Sequence, residues 1–462
     1  MAEPRVLFAT AELAPLARVG GLAEASAGLV RQLRADGAEI DVVLPDYGDV
    51  ALADETVTSI EVPSWAQPGL VRRGVHPVAG PVTLVATAGT HKPHPYVDVH
   101  GHGWPDNALR FFGFSAAVAA LADATEPDVI HLNDWHTAAV PGFVMVERPS
   151  VLTIHTLGHQ GATDSAWIER LRRHHDAYRW YTACNPLVGA IRLADRIIAV
   201  SPTYAREIVT EANGEGAHAE LAARGDDLVG IRNGIDAEEW NPATDPHIAR
   251  TYTASTVSRN KPVCRRALLA QFGFADDADE PVFGVVSRLV DQKGIDLLLE
   301  TVWFLADLGA KLVVLGSGDA GLAAGGRWAA ATFPERVAFV EGYDAALAHR
   351  IFAGADLFVM PSRFEPCGLA QMQAMAYGTL PVVTDVGGLH DTVVDADHDV
   401  ERGTGIVAPW PTGAALTDAL HRGAALWRDR RRRNAARTIG MTTDWSWSAP
   451  AADHREIYRS LA

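Results

Sequence analysis

Glu365 stands where a short apolar run gives way to a helix-forming one, and that junction is the first place where residue types and spacing suggest chemistry. Asp356-Leu357-Phe358-Val359-Met360 reads as a buried strand. Pro361-Ser362-Arg363-Phe364-Glu365-Pro366-Cys367-Gly368-Leu369 follows, and Ala370 to Tyr377 reads as a helix stopped by Gly378. Pro366 suits a first helical position, because its missing N–H would have no partner there. This reading puts Glu365 just outside a helix start, beside the amides of Cys367, Gly368 and Leu369. A strand, a turn and a helix N-terminus make a seat for an anionic or oxygen-rich ligand, and Gly368 would let it approach the backbone. For an isolated Glu-Pro the bland alternative is a solvated capping carboxylate.

Other loops after strands carry matching chemistry. Arg18-Val19-Gly20-Gly21-Leu22 lies between an apolar run and a helix from about Ala23, which is a phosphate-cradling arrangement with a fixed cation ahead of it. It is not the Gly-x-Gly-x-x-Gly dinucleotide pattern, so a nicotinamide cofactor is unsupported. Arg288 and Lys293 follow a strand and precede a helix, and two cations there fit a diphosphate leaving group. Gly316-Ser317-Gly318-Asp319, Asn133-Asp134-Trp135-His136 and His155 also end strands. His91, His94, His100 and His102 sit in a Pro- and Gly-rich loop with no regular spacing to hold a metal, and a ligand-lining loop is the better reading.

These loops need parallel sheets to position them. Apolar runs at 5–10, 39–44, 82–86, 129–132, 151–155, 196–200 and 229–232 alternate with helical stretches, and 57–85 reads as an excursion into hairpins. Trp240-Asn241-Pro242 and Asp245-Pro246 make 236–256 look like a linker and a hinge. Alternation restarts at 282–287, 312–315, 337–340, 357–360 and 381–384. The fold class is therefore α/β in two successive units, expected to meet near residue 241, with ligands at the carboxyl ends of strands and a cleft between units as the active site.

A chain of 462 residues is too long for one ordinary core, and a net charge of −17 argues against nucleic acid as a general partner. The run Arg428-Asp429-Arg430-Arg431-Arg432-Arg433 is the one dense basic patch, and reads as a solvated helix face rather than a polyanion site. Three scattered cysteines support neither a disulfide framework nor a zinc site. No apolar run approaches membrane-spanning length and no leader is visible, so no membrane partner and a cytoplasmic location are expected.

The motifs together resemble the bacterial glycogen synthases and plant starch synthases, retaining glycosyltransferases with two Rossmann-like domains (the GT-B architecture). The resemblance runs in order through Arg18 to Glu24, Trp104 to Phe111, Asn133 to His136, Ser201 to Ala205, Asn233 to Asp236, Val286 to Leu289, Gln292 to Gly294, Pro361 to Leu369 and Tyr377 to Pro381. It implies domains at 1–241 and 242–445, with a closing helix over 446–462 that returns to the first. It also implies transfer of glucose from a nucleotide sugar, ADP-glucose above all, to the 4-hydroxyl of an α-glucan end. By position, Arg288 and Lys293 would neutralise the donor diphosphate, with Gly20 and Gly21 contacting phosphate. Glu365 would hold sugar hydroxyls with the amides of Gly368 and Leu369, and Tyr343 would stack on the base. His155 would face the donor sugar and Asp134 would line the acceptor side. No metal or other cofactor is implied. No carboxylate is placed as a nucleophile, so a same-face mechanism is expected.

The chain departs from the family at several points. Arg18 stands where Lys is usual, His155-Thr156-Leu157 replaces His-Asn-Leu, Ala370 replaces a Thr, and 162–188 matches poorly. Gln373 occupies the position eight residues after Glu365 where related transferases outside glucan synthesis carry a second Glu. The competing readings are a same-fold transferase acting on a small-molecule or specialised acceptor, and a nucleotide-sugar-binding protein without turnover. Epimerase or phosphorylase chemistry follows behind them.

Overall fold

The structure, a computed structural model, describes residues 3–462 as two α/β units. The first comprises 3–234 and 447–462, the second 235–446. The chain thus divides after Gly234 rather than at 241.

The first unit holds β1 (Arg5–Ala9), β2 (Glu39–Pro45), β3 (Ala53–Ser59), β4 (Leu70–His76), β5 (Gly80–Ala86), β6 (Val129–Asn133) and β7 (Ser150–Ile154). Three two-residue strands, β8 (Thr163–Asp164), β9 (Arg179–Trp180) and β10 (Ala183–Cys184), follow before β11 (Arg196–Ala199) and β12 (Leu228–Gly230). The main sheet runs β12-β11-β7-β6-β1-β2-β5-β4-β3, parallel except where β4 and β3 add the expected hairpins at one edge. β6 and β7 are buried along their whole length, as strands covered on both faces must be. The poorly matching 162–188 segment forms the small antiparallel sheet β8-β10-β9.

Strand order reverses between β1 and β6, so the loops leaving their carboxyl ends open side by side. The helix α1 (Gly21–Ala35) follows the first of these loops. The helix α2 (Asn107–Thr125) corrects one expectation: at 19 residues and mean hydropathy 1.3 it is long and apolar enough to cross a membrane. Two-thirds of it (67%) is buried within the protein, as in a core helix.

The closing helix Ser448–Leu461 packs into the first unit's core, where Trp447, Ala451 and Tyr458 join Val6, Phe8 and Leu29. Gly28 on α1 admits the Trp447 indole, since a Cβ there would stand 2.0 Å from Nε1. Beneath the helix the Tyr458 hydroxyl meets Nδ1 of the buried His131 at 2.6 Å, and Nε2 of His131 meets the Thr153 hydroxyl at 2.7 Å. Tyr458→Phe leaves Nδ1 of the fully buried His131 without a partner, and is expected to cost about 2 kcal/mol. A fall in the urea midpoint with an unchanged slope would show it.

The second unit holds β13 (Val282–Leu289), β14 (Lys311–Gly318), β15 (Val337–Glu341), β16 (Leu357–Met360), β17 (Leu380–Thr384) and β18 (Ile406–Ala408). All are parallel, in the order β15-β14-β13-β16-β17-β18. Here the order reverses between β13 and β16, which brings the Arg288–Lys293 and Pro361–Leu369 loops together. The 236–256 segment is not a free linker. Trp240 stacks on His349 with ring centroids 4.2 Å apart, and the buried Asp245 accepts from Tyr377 Oη at 2.6 Å.

Candidate functional site

In the first unit the site grows from the two loops at the sheet's reversal. Asn133 ends β6 and its amide orientation is fixed, because Nδ2 donates to the Ala9 carbonyl at 2.9 Å. Its Oδ1 then faces Nε2 of His155 at 2.9 Å. An amide oxygen only accepts, so Nε2 carries the proton and Nδ1 keeps its lone pair. Burial, with His454 adding to it, pulls the His155 pKa down to about 3, so the ring is neutral near pH 7.

Asp134 is buried and takes a left-handed backbone conformation, with φ of +53°. Its Oδ1 accepts the N–H of His155 at 2.7 Å and of Thr156 at 3.4 Å. Burial raises its pKa to about 7 despite those donors, and Glu12 adds to the rise. Asp134 is thus the brace that sets the His155 backbone. His155 also borders a small cavity of about 10 Å³, floored by Phe8, Ile198 and Trp447.

The Gly20-Gly21 loop differs from expectation. Glu12, after β1, accepts the N–H of Val19 at 2.8 Å and of Gly20 at 3.0 Å through Oε2. Its Oε1 accepts the Tyr96 hydroxyl at 2.7 Å. The Gly20 amide is therefore committed to a carboxylate of the chain itself. Arg18 pairs with Glu24 at 2.7 Å, so its charge is shared as well. Glu12 and Tyr96 escaped the sequence reading, and the only signal was a carboxylate just past a strand end.

Neither Gly20 nor Gly21 has positive φ, and a Cβ on either meets nothing within 4 Å. Neither packing nor backbone conformation requires glycine at these two positions. Gly20→Ala is expected to leave stability within about 1 kcal/mol of the parent, while raising KM for the sugar nucleotide about tenfold. Paired melting curves and initial rates would separate the two effects.

The histidines of the 91–102 loop make contacts within the protein, His100 lying beside His102. Nδ1 of His94 accepts the N–H of Tyr96 and of Val97, His102 lies 3.8 Å from Asp98, and His91 packs on Gly48. Among the described residues no group of three or more His, Cys, Asp or Glu side chains could hold a metal.

In the second unit Lys293 ends the 3₁₀ turn Asp291–Lys293 and donates to Oε2 of Glu365 at 2.5 Å. Ser362 Oγ donates to the same oxygen at 3.2 Å. Glu365 is buried, yet its Oε1 accepts from no group among the described residues. Lys293 has further N–H bonds to give, so it can bind Glu365 and an anion together. Arg288 is exposed, with Nη2 3.3 Å from Oε1 of Gln292.

The helix after Glu365 begins at Ala370, not Pro366. Pro366 to Leu369 instead form a turn in which Gly368 adopts φ of +73°. Gln371 Nε2 donates to the Cys367 and Gly368 carbonyls, and Gly388 N donates to the Glu365 carbonyl at 2.9 Å. The amides of Gly368 and Leu369 donate to no described group, which leaves them available to a ligand. Gly316 has a packing explanation, because a Cβ would strike the Ser287 carbonyl of the neighbouring strand. Tyr343 follows β15 and is 74% exposed.

Comparison with known proteins fits this geometry. Residues 5–223 match the starch synthase catalytic domain model and residues 270–437 the glycosyl transferases group 1 model. A glycogen synthase of Dechloromonas aromatica is 40% identical over 480 residues, covering 99% of both chains. One from Aromatoleum aromaticum is 41% identical, covering 99% of this chain and 97% of its own. The catalytic domain of starch synthase IV from Arabidopsis thaliana, solved with ADP and acarbose, superposes with a TM-score of 0.89 at 29% identity, covering 100% and 99% of the two chains. Sucrose-phosphate synthase from Thermosynechococcus elongatus, at 20% identity and TM-score 0.63, shares the GT-B fold. The chain belongs to the glycogen and starch synthase family, and is a glycosyltransferase that carries out glucosyl transfer of the glycogen synthase kind.

Proposed function

We propose that the donor is ADP-glucose and the acceptor the non-reducing end of an α-1,4-glucan, with α configuration retained and no metal required. The observation that carries this reading is the Lys293–Glu365 pair at the reversal point of the second sheet. It sets a cation for the diphosphate beside a carboxylate oxygen for the sugar hydroxyls. Arg288, Lys293 and the first-turn amides of α1 stabilise the charge that develops on the departing diphosphate. Glu365 Oε1 and the amides of Gly368 and Leu369 take sugar hydroxyls, with the Tyr343 ring against the base.

His155 contributes as a neutral ring. With a pKa near 3 it is no general acid, and its Nδ1 lone pair accepts a sugar hydroxyl while Asn133 holds the other nitrogen. The departing phosphate oxygen then takes the acceptor's proton on the same face. Glu12 supports the donor loop, giving up the Gly20 amide as phosphate replaces it. The Arabidopsis thaliana starch synthase IV structure, solved with ADP and acarbose, supports this donor and acceptor chemistry.

The test is product formation from ADP-glucose and from UDP-glucose, each with and without a maltooligosaccharide. Extended oligosaccharide from ADP-glucose is the expected result. Donor hydrolysis with no chain growth would favour a different acceptor, and faster growth from UDP-glucose would overturn the donor assignment.

A further inference from the structure

A protein of net charge −17 keeps a cavity with six cations among its thirteen lining residues. It lies in the second unit, measures about 340 Å³, and is bordered by the helices Val257–Gln271 and Arg430–Thr442. That volume falls in the lower range of small-molecule pockets, about 300–1,000 Å³. Arg430, Arg433 and Arg437 recur at helical spacing, so they share one face. Lys261, Arg265 and Arg266 come from the other helix, and the carboxylates on the lining are Asp276 and Asp356.

Those carboxylates are already taken. Arg265 bonds Asp356 at 3.1 Å through Nε and also pairs with Asp276, while Arg437 reaches the second Asp356 oxygen at 3.4 Å. Lys261 is spent on the carbonyls of Phe352, Ala353 and Tyr377 and the Thr379 hydroxyl. Arg266 and Arg430 pair with nothing among the described residues. The Arg433 side chain donates, among the described residues, only to the Trp427 carbonyl, at 2.8 Å, with its guanidinium over the Trp427 ring.

A solvated helix face would account for Arg266 and Arg430. It does not account for the Nε atoms of Arg433 and Arg437, which are buried and donate to nothing, nor for Arg437 as a whole, only 6% exposed. Burial, with Arg433 beside it, pulls the Arg437 pKa down to about 10 in spite of Asp356. Arg433 and Arg437 both line the cavity, and guanidinium groups clustered there call for an acceptor with several oxygens.

The site is separate from the donor groups. Asp356 directly precedes β16 and accepts the N–H of Val282 at the start of β13, so the cavity lies at the amino ends of the strands. Arg288 and Glu365 lie at or beyond the carboxyl ends of those same two strands.

We propose that this cavity binds a phosphate or diphosphate group of a small metabolite, gripped by Arg266, Arg430 and Arg433 with Arg437 beneath. Guanidinium forks match phosphate oxygens in pairs, which a lysine cluster would not. The donor site would also take a diphosphate, so the experiment must tell the two apart.

Calorimetric titration of the full chain with pyrophosphate at constant ionic strength is the test. The parent is expected to bind close to two equivalents. Arg266→Ala with Arg430→Ala, both at exposed positions, should weaken one of them tenfold or more and spare the other, whereas Arg288→Ala should do the reverse. Loss on Arg288→Ala alone, with no change in the Arg266/Arg430 variant, would overturn the proposal, as would the absence of saturable binding. Hexose phosphate and inorganic phosphate serve as further probes. Tighter hexose phosphate binding at this site points to a sugar phosphate and equal affinity to the phosphate group alone, and either upholds the proposal.

Discussion

Lys293→Ala is expected to lower kcat/KM for the sugar nucleotide by about 10²–10³, the loss typical of removing one group that meets developing charge. It should also destabilise the fold by about 3 kcal/mol, because Glu365 would be left buried with only the Ser362 hydroxyl against its charge. The two losses have different cures. Lys293→Ala combined with Glu365→Ala removes both charges, so stability should recover by about 2 kcal/mol while activity falls further. Glu365→Ala alone should cost less stability, since Lys293 is partly exposed and can turn to water. A double-mutant cycle read by urea unfolding and by initial rates checks both halves. Recovery of activity in the double variant would mean that Lys293 serves only to neutralise Glu365.

That pair also shows what a linear reading could and could not find. Arg288, Lys293 and Glu365 stood out because each follows an apolar run, and strands covered on both faces write themselves as such runs. Their contact did not stand out. Lys293 and Glu365 are 72 residues apart, and what joins them is the strand order, in which β16 lies against β13 rather than β15. The misplaced helix start has a local cause: Pro366 is a good first-turn residue, yet the left-handed Gly368 closes a turn that delays the helix to Ala370. Glu12 was invisible for a third reason. Its partners are the amides of Val19 and Gly20 and the hydroxyl of Tyr96, and no spacing rule links a carboxylate to a tyrosine 84 residues away.

Asp134→Asn is expected to separate the brace from the charge. An asparagine oxygen can still accept the N–H bonds of His155 and Thr156, so the backbone at His155 should hold and most activity should remain. Asp134→Ala removes the acceptor and should reduce kcat by about 10², because small displacements of a positioning group are costly. The pH dependence supplies an independent readout. Burial raises the folded pKa of Asp134 to about 7 from an ordinary 3.8, so between those values the native state binds more protons than the unfolded chain. Its contribution to stability is fully present below pH 3.8 and is lost as pH rises through 7. Such a shift corresponds to a loss on the order of 4 kcal/mol. The buried His131, His136, His155 and His454 act in the opposite sense. Their pKa values are depressed, so the stability they lend is present above about pH 6.5 and is lost as pH falls below it. The parent should therefore weaken at acid pH through the histidines, while the advantage of Asp134→Asn over the parent should grow from pH 4 to pH 7 and level off above. A constant difference across that range would show that Asp134 is ionised throughout, and that its charge rather than its acceptor oxygen is what the site retains.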